Sequence, residues 1–195
     1  MGSINREAVE LFKNKAALVS IEISEVRNLA EAIERAAVIC TARDAGEQEA
    51  AKSGRAKTMA APALSEDDYA ALGRACAQNG IELIQSGMRD RLTGIDAAFT
   101  VADGGIADTA TSILASPIEE LRLATMVCEC HIVALSKAEI VLDSYQYESK
   151  LGRYLSEDKM YAAFVSGPSR TADIERVLTI GVHGPVAMHV LLMDE

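Results

Sequence analysis

The stretch Phe164–Pro185, "FVSGPSRTADIERVLTIGVHGP", sets Ser169, Arg170, Thr171, Asp173, Glu175 and His183 within a short span of chain. An arginine fork grips a carboxylate or phosphate through paired bonds, and hydroxyls such as Ser169 and Thr171 add donors beside it. Asp173 is a further polar contact for a bound molecule. A histidine with an ordinary pKa near 6.5 suits proton transfer to or from a hydroxy acid, which makes His183 the candidate acid or base. The same residues also admit a structural reading. Ser169 or Thr171 can cap a short helix with Asp173 and Glu175 in its first turn, and His183 can bond backbone in the Gly-Pro turn.

A second polar group lies in "ADGGIADTATS". In a strand, residues two apart share a face, so Thr109 and Thr111 project together and Asp108 oppositely. One threonine can line a polar pocket; threonine is equally a good strand residue. His189 sits inside the apolar "AMHVLLM" and reads as a core histidine, while His131 heads a strand after two cysteines. Cys40, Cys76 and Cys128 continue apolar helical stripes, which is the placement of small buried hydrophobes. Cys128-Glu129-Cys130-His131 lacks the paired C-x-x-C spacing of zinc sites, so no metal is expected. The chain has no G-x-G-x-x-G after a strand, no P-loop and no G-x-S-x-G elbow, so no cofactor is expected either.

The elements that must position these residues follow from periodicity. Val26, Leu29, Ala30, Ile33 and Ala37 form a helical stripe with Ser24 as its N-cap. "SEDDYAALGRACAQNG" starts with Ser65 as cap, has Asp68 at the capping-box position and ends on Gly80. A third helix spans Ile118–Val127. The runs "AALVSIEI", "TMAAPA", "IELIQ", "AAFTV", "HIVALS", "YAAFVS" and "AMHVLLM" have the length and β-branched content of strands, several apolar on both faces. Strand and helix signals alternate, as in a three-layer α/β/α domain with a mostly parallel sheet. Asp103-Gly104-Gly105 is placed as the turn of an antiparallel hairpin. If "YAAFVS" is a strand of the parallel sheet, Gly167–Thr171 lies in the crevice beyond its carboxyl end.

Composition narrows the partners. With 195 residues the chain is read as a single domain, 1–195, with a helix at about 4–17 as an appendage. A net charge of −10, with 19 basic residues scattered singly, argues against nucleic acid and anionic membrane. No apolar run has the length of a membrane span, and the polar N-terminus points to a cytoplasmic protein with reduced thiols. Homo-oligomerisation is compatible with this composition.

"GIDAAFTVADGGIADTATSIL", "EELRLATM", "HIVALSKAEIV" and "GPSRTADIERVLTIGVHGP…MHVLLMDE" occur in the order in which they resemble the LUD domain family, the lactate-utilisation protein C group. The resemblance covers about half the chain, from Ile95 onward. It implies a fold like the sugar-phosphate isomerase and CoA-transferase superfamily (NagB/RpiA-like). It also implies a place beside iron–sulfur oxidoreductase subunits in oxidising L-lactate to pyruvate. Where members usually read Thr-Gly-Thr, this chain has Thr109-Ala110-Thr111, which argues against a need for positive φ there. The expected function is thus a non-redox subunit binding a small carboxylate. The alternatives are a free-standing isomerase or CoA transferase, with Asp108, Asp173 or Glu175 as its carboxylate, or a scaffolding protein.

Overall fold

The computed structural model describes residues 5–43, 55–91, 94–156, 161–171, 179–181 and 183–195. Six strands form an entirely parallel sheet: β1 (Ile21–Val26), β2 (Lys57–Ala60), β3 (Ile81–Ile84), β4 (Ile95–Val101), β7 (Cys128–Ser136) and β12 (Ala187–Met193). Their order is β1-β12-β7-β4-β2-β3. The inner strand β12 is buried along its whole length, because both faces of a parallel sheet are covered.

Side-chain alternation divides the core. Cys130, Ile132 and Ala134 of β7 face helices α2 (Leu29–Ala42) and α3 (Glu66–Gln78), whose Ile33, Ala37, Leu72 and Cys76 meet them. Val133 and Leu135 face the other way, towards α1 (Arg6–Leu18) and a smaller sheet. That sheet has the order β8-β5-β6-β9, from β5 (Gly104–Ile106), β6 (Thr111–Ser116), β8 (Ile140–Val141) and β9 (Tyr161–Val165). Helix α4 (Glu119–Val127) lies on the same side, and α5 (Ser144–Leu155) covers the outer face of the small sheet through Tyr147. A two-stranded ribbon, β10 (Arg170–Thr171) with β11 (Thr179–Ile180), follows β9.

The α/β architecture with a mostly parallel sheet and an antiparallel hairpin agrees with the sequence reading, as do the Ser65 cap, which accepts from Asp68 N at 3.2 Å, and Gly80 at φ +67°. Several local readings are corrected. Ser24 and Val26 lie in β1, and α2 is capped instead by Asn28, which accepts from Glu31 N at 3.1 Å. The helix expected as an appendage buries Ala8, Val9, Phe12 and Ala16, so α1 is part of the core.

The hairpin turns at residues 107–110, not at Asp103-Gly104-Gly105. The two glycines are strand residues for a steric reason. A Cβ on Gly104 would lie 2.5 Å from the Tyr147 ring, and one on Gly105 would lie 2.9 Å from Leu135. Ala110 adopts φ +49°, so the left-handed backbone is kept in the turn although alanine pays a steric penalty there.

Candidate functional site

Strand β9 does not join the parallel sheet. It pairs antiparallel with β6, Ser112 opposite Val165 and Ser116 opposite Tyr161, as an edge of the small sheet. The chain leaving it therefore does not enter the crevice at the carboxyl ends of the parallel strands, and that expectation is corrected. Ser169 N–H donates to Pro185 O at 2.8 Å, and Gly181 N–H donates to Ser169 O at 2.8 Å. Val186 N–H in turn donates to Glu129 O at 2.9 Å, just before β12 starts beside β7. Gly167 is packed on the carbonyl of Val19, just before β1. The segment thus sits at the amino-terminal rim of β1, β12 and β7.

Two backbone features hold this rim. Gly167 has φ +92°, and any side chain there would press into the Val19 carbonyl oxygen. The chain before β1 is itself turned sharply at Ser20, with φ 58°. Arg170 folds back over Gly167: its Nη2 is 3.5 Å from where a Cβ on Gly167 would stand. Among the described residues, no carboxylate pairs with that exposed guanidinium.

Two hydroxyls of the hairpin reach a third in the same segment. Thr109 Oγ1 is 2.8 Å from Thr111 Oγ1, which is 2.6 Å from Ser166 Oγ. The shared face read from the spacing of Thr109 and Thr111 is present, although Thr109 lies in the turn. Ser166, the residue before Gly167, was missed by sequence reasoning; it is the end of "YAAFVS", where an apolar strand gives way to a hydroxyl.

Of the other candidates, His183 is exposed in the turn before β12, and no hydrogen bond among the described residues links it to Thr109 or Arg170. Thr171 lies half-buried in the ribbon opposite Thr179. Asp173 and Glu175 lie outside the described residues. Asp108 is exposed, with its backbone N–H donating to Leu142 O at 3.0 Å.

The cysteines and His131 are core groups, as the stripes predict for Cys40 and Cys76; Cys128, read on a helical stripe, starts β7 instead and is buried there with Cys130. Burial pushes Cys40 up to about 12 and Cys76 and Cys130 to about 11, with Cys128 higher still. Such thiols are protonated at neutral pH and are poor ligands or nucleophiles. His131 bonds Thr100 Oγ1 at 2.9 Å through Nε2, while its Nδ1 is buried without a partner.

The opposite, carboxyl-end rim carries charges that sequence reasoning passed over. Buried Lys137 pairs with Glu25 Oε2 at 2.7 Å and Asp194 Oδ1 at 2.6 Å, and Lys13 of α1 also reaches Glu25. Each of these rim residues ends or follows an apolar run, "SIEISEV", "HIVALSK" and "VLLMDE", and that position was the available signal. The bonds from Lys13 and Lys137 hold Glu25 down at about 2. Its contribution is present above the ordinary carboxylate pKa near 4.5 and is lost as pH falls from there towards 2. Glu25→Gln is therefore expected to lower the thermal midpoint at pH 7 and to narrow its gap from the parent below pH 3. Melting curves across that range check it; a gap independent of pH would refute it.

Residues 9–193 match the family model described as LUD domain. The chain belongs to the LUD domain family. This LUD chain is 36% identical over 104 residues to lactate utilization protein C of Bacillus pumilus, covering 51% of the chain and 43% of that relative. It is 32% identical to the protein of the same name from an Exiguobacterium species, covering 51% and 45%. These matches span less than half the relatives' own length. A solved DUF162 family protein from Deinococcus radiodurans has the same fold, with a TM-score of 0.65 and 15% identity over 96% of this chain and 97% of that one. Among the described residues no helix is long and apolar enough to cross a membrane.

Proposed function

We propose that this LUD chain serves bacterial lactate utilisation as a non-redox subunit that binds a small carboxylate and works beside iron–sulfur partner proteins. The names of its relatives support the process. The observation that carries the binding site is the meeting of Arg170 and the Thr109–Thr111–Ser166 hydroxyl chain on the two sides of Gly167. In this reading the guanidinium clamps a carboxylate and the outer hydroxyls bond its neighbouring oxygens. Ser169, tied to Pro185, and Thr171, paired with Thr179, add hydroxyl donors, and Asp173 and His183 complete the set, His183 as the acid or base.

Titration calorimetry with L-lactate and with pyruvate tests it. A charge-assisted bond is worth about 1.5–3 kcal/mol, so Arg170→Ala is expected to weaken binding by roughly 10- to 150-fold. Equal binding by parent and variant would remove Arg170 from the site. Co-purification of iron–sulfur proteins with the tagged chain from lactate-grown cells tests the partner half of the reading.

A further inference from the structure

A second constellation lies on the other face of the parallel sheet, at its open edge. Among the described residues β1 is one of the two edge strands of this sheet, and its Glu22 and Ser24, two residues apart, point to the same side. The register places His189 of β12 directly beside Glu22. Ser24 Oγ stands 2.9 Å from His189 Nε2, and His189 Nδ1 stands 3.7 Å from Glu22 Oε2. The ring is buried, its Nδ1 has no hydrogen-bond partner, and Ser24 is half-exposed.

From this geometry we infer that Ser24, His189 and Glu22 form a serine-nucleophile centre for acyl transfer from small, anionic acyl esters. The order hydroxyl, imidazole, carboxylate is what activation of a serine requires, whatever the fold that supplies it. With its proton on Nδ1, His189 offers Nε2 to the serine and N–H to Glu22. A movement of about 0.8 Å turns the second contact into a hydrogen bond, and such bonds commonly tighten only with substrate in place.

The surroundings fit the role. Burial lowers the basicity of His189 and Glu22 raises it, with Arg35 of α2 and Arg43 after α2 adding to the lowering. The imidazole is therefore the neutral base near pH 7. Arg43 Nη1 holds Glu22 Oε1 at 3.2 Å, which orients the carboxylate. With Arg43 paired to Glu22, Arg35 is the positive charge beside the ring that favours an acyl donor carrying a negative charge. Among the described residues no strand pairs with the outer side of β1, so its outward backbone N–H groups can serve a developing oxyanion.

In the reaction Ser24 Oγ bonds to the acyl carbon as its proton passes to His189 Nε2. The carbon–oxygen bond to the alcohol breaks, and Nε2 returns the proton to the departing alkoxide. Water then attacks the acyl-serine, giving a proton to Nε2, and Ser24 Oγ leaves the carbon and takes that proton back. Ser24 and His189 are the catalytic residues; Glu22 is a positioning residue. The centre does not depend on the Arg170 site.

The test is a burst experiment on the full chain with mono-4-nitrophenyl succinate, neutral 4-nitrophenyl acetate, and a biotinylated fluorophosphonate. Expected are a stoichiometric nitrophenolate burst, a preference of at least about tenfold for the anionic ester, and fluorophosphonate on the peptide containing Ser24. Ser24→Ala removes the hydrogen bond to the buried His189 ring, so it should lower the melting midpoint by a few degrees and abolish both signals in protein that is still folded at the assay temperature. Glu22→Gln should slow acylation about tenfold and move the midpoint of its pH profile downward, a shift that a merely structural residue would not cause. Labelling elsewhere, or a burst that survives Ser24→Ala, would overturn the inference, as would a pH profile unmoved by Glu22→Gln. No preference between the two esters would overturn the assignment of the acyl class.

Discussion

Gly167→Ala is expected to cost about 2–4 kcal/mol of stability, seen as a fall of roughly 6–12 °C in the melting midpoint. Two penalties combine there. At φ +92° an L side chain is strained whatever the space, and its Cβ would also press into the backbone oxygen of Val19. Backbone cannot swing away as the tip of a long side chain does, so the loop or the turn before β1 has to move. That movement would carry Arg170 and Ser166 with it, and lactate binding is expected to fall in step with stability. Gly152→Ala is the control. This glycine lies in the exposed part of α5 with nothing near its absent Cβ, so alanine should stabilise by about 0.5–1 kcal/mol. A Gly167→Ala protein that melts with the parent would show that the tight approach to Val19 is not maintained in solution.

The second large effect is on pH dependence. Burial holds His131 down at about 4, against 6.5 for an exposed imidazole. Between those values the unfolded chain binds the proton and the folded one does not, so stability falls as pH falls. The contribution is fully present above pH 6.5, declines below it, and levels off under the folded value near 4, for a total of about 3 kcal/mol. Urea unfolding at pH 7.5 and pH 4.5 should show this difference in the parent, and His131→Gln should flatten it. His189, also depressed by burial, adds a smaller slope in the same window and remains in the variant. Thr100→Val gives a contrast: it removes the hydrogen bond to the ring, costs about 1–2 kcal/mol at both pH values and leaves the slope in place. Parallel curves for the parent and His131→Gln would sink the argument.

These two positions also show how far sequence reading reached. His131 was legible only as a histidine heading a strand. Its burial, and so its acid sensitivity, arises because β12 and β4 flank β7 and both faces of the sheet are covered. Gly167 was legible as a break in an apolar run, but the Val19 carbonyl that forbids a side chain there is distant in the chain. Ser24 and His189 were read as a helix cap and a core residue. Each reading used local spacing, and neither could contain the parallel register that sets them side by side.

What the amino-acid sequence determined by itself was the local part: which runs become strands, where α3 starts and stops, that Thr109 and Thr111 share a face, and that the thiols are buried. Periods of two and near four along the chain express side-chain direction, and caps express backbone hydrogen bonds a few residues apart. Only the tertiary structure decided that "YAAFVS" joins an antiparallel sheet, that the Arg170 loop meets the amino-terminal rim, and that Lys137 gathers carboxylates from two other strands. The alternation of a strand names its buried face but not the neighbour along its edge. That neighbour is chosen by packing between segments far apart in the chain.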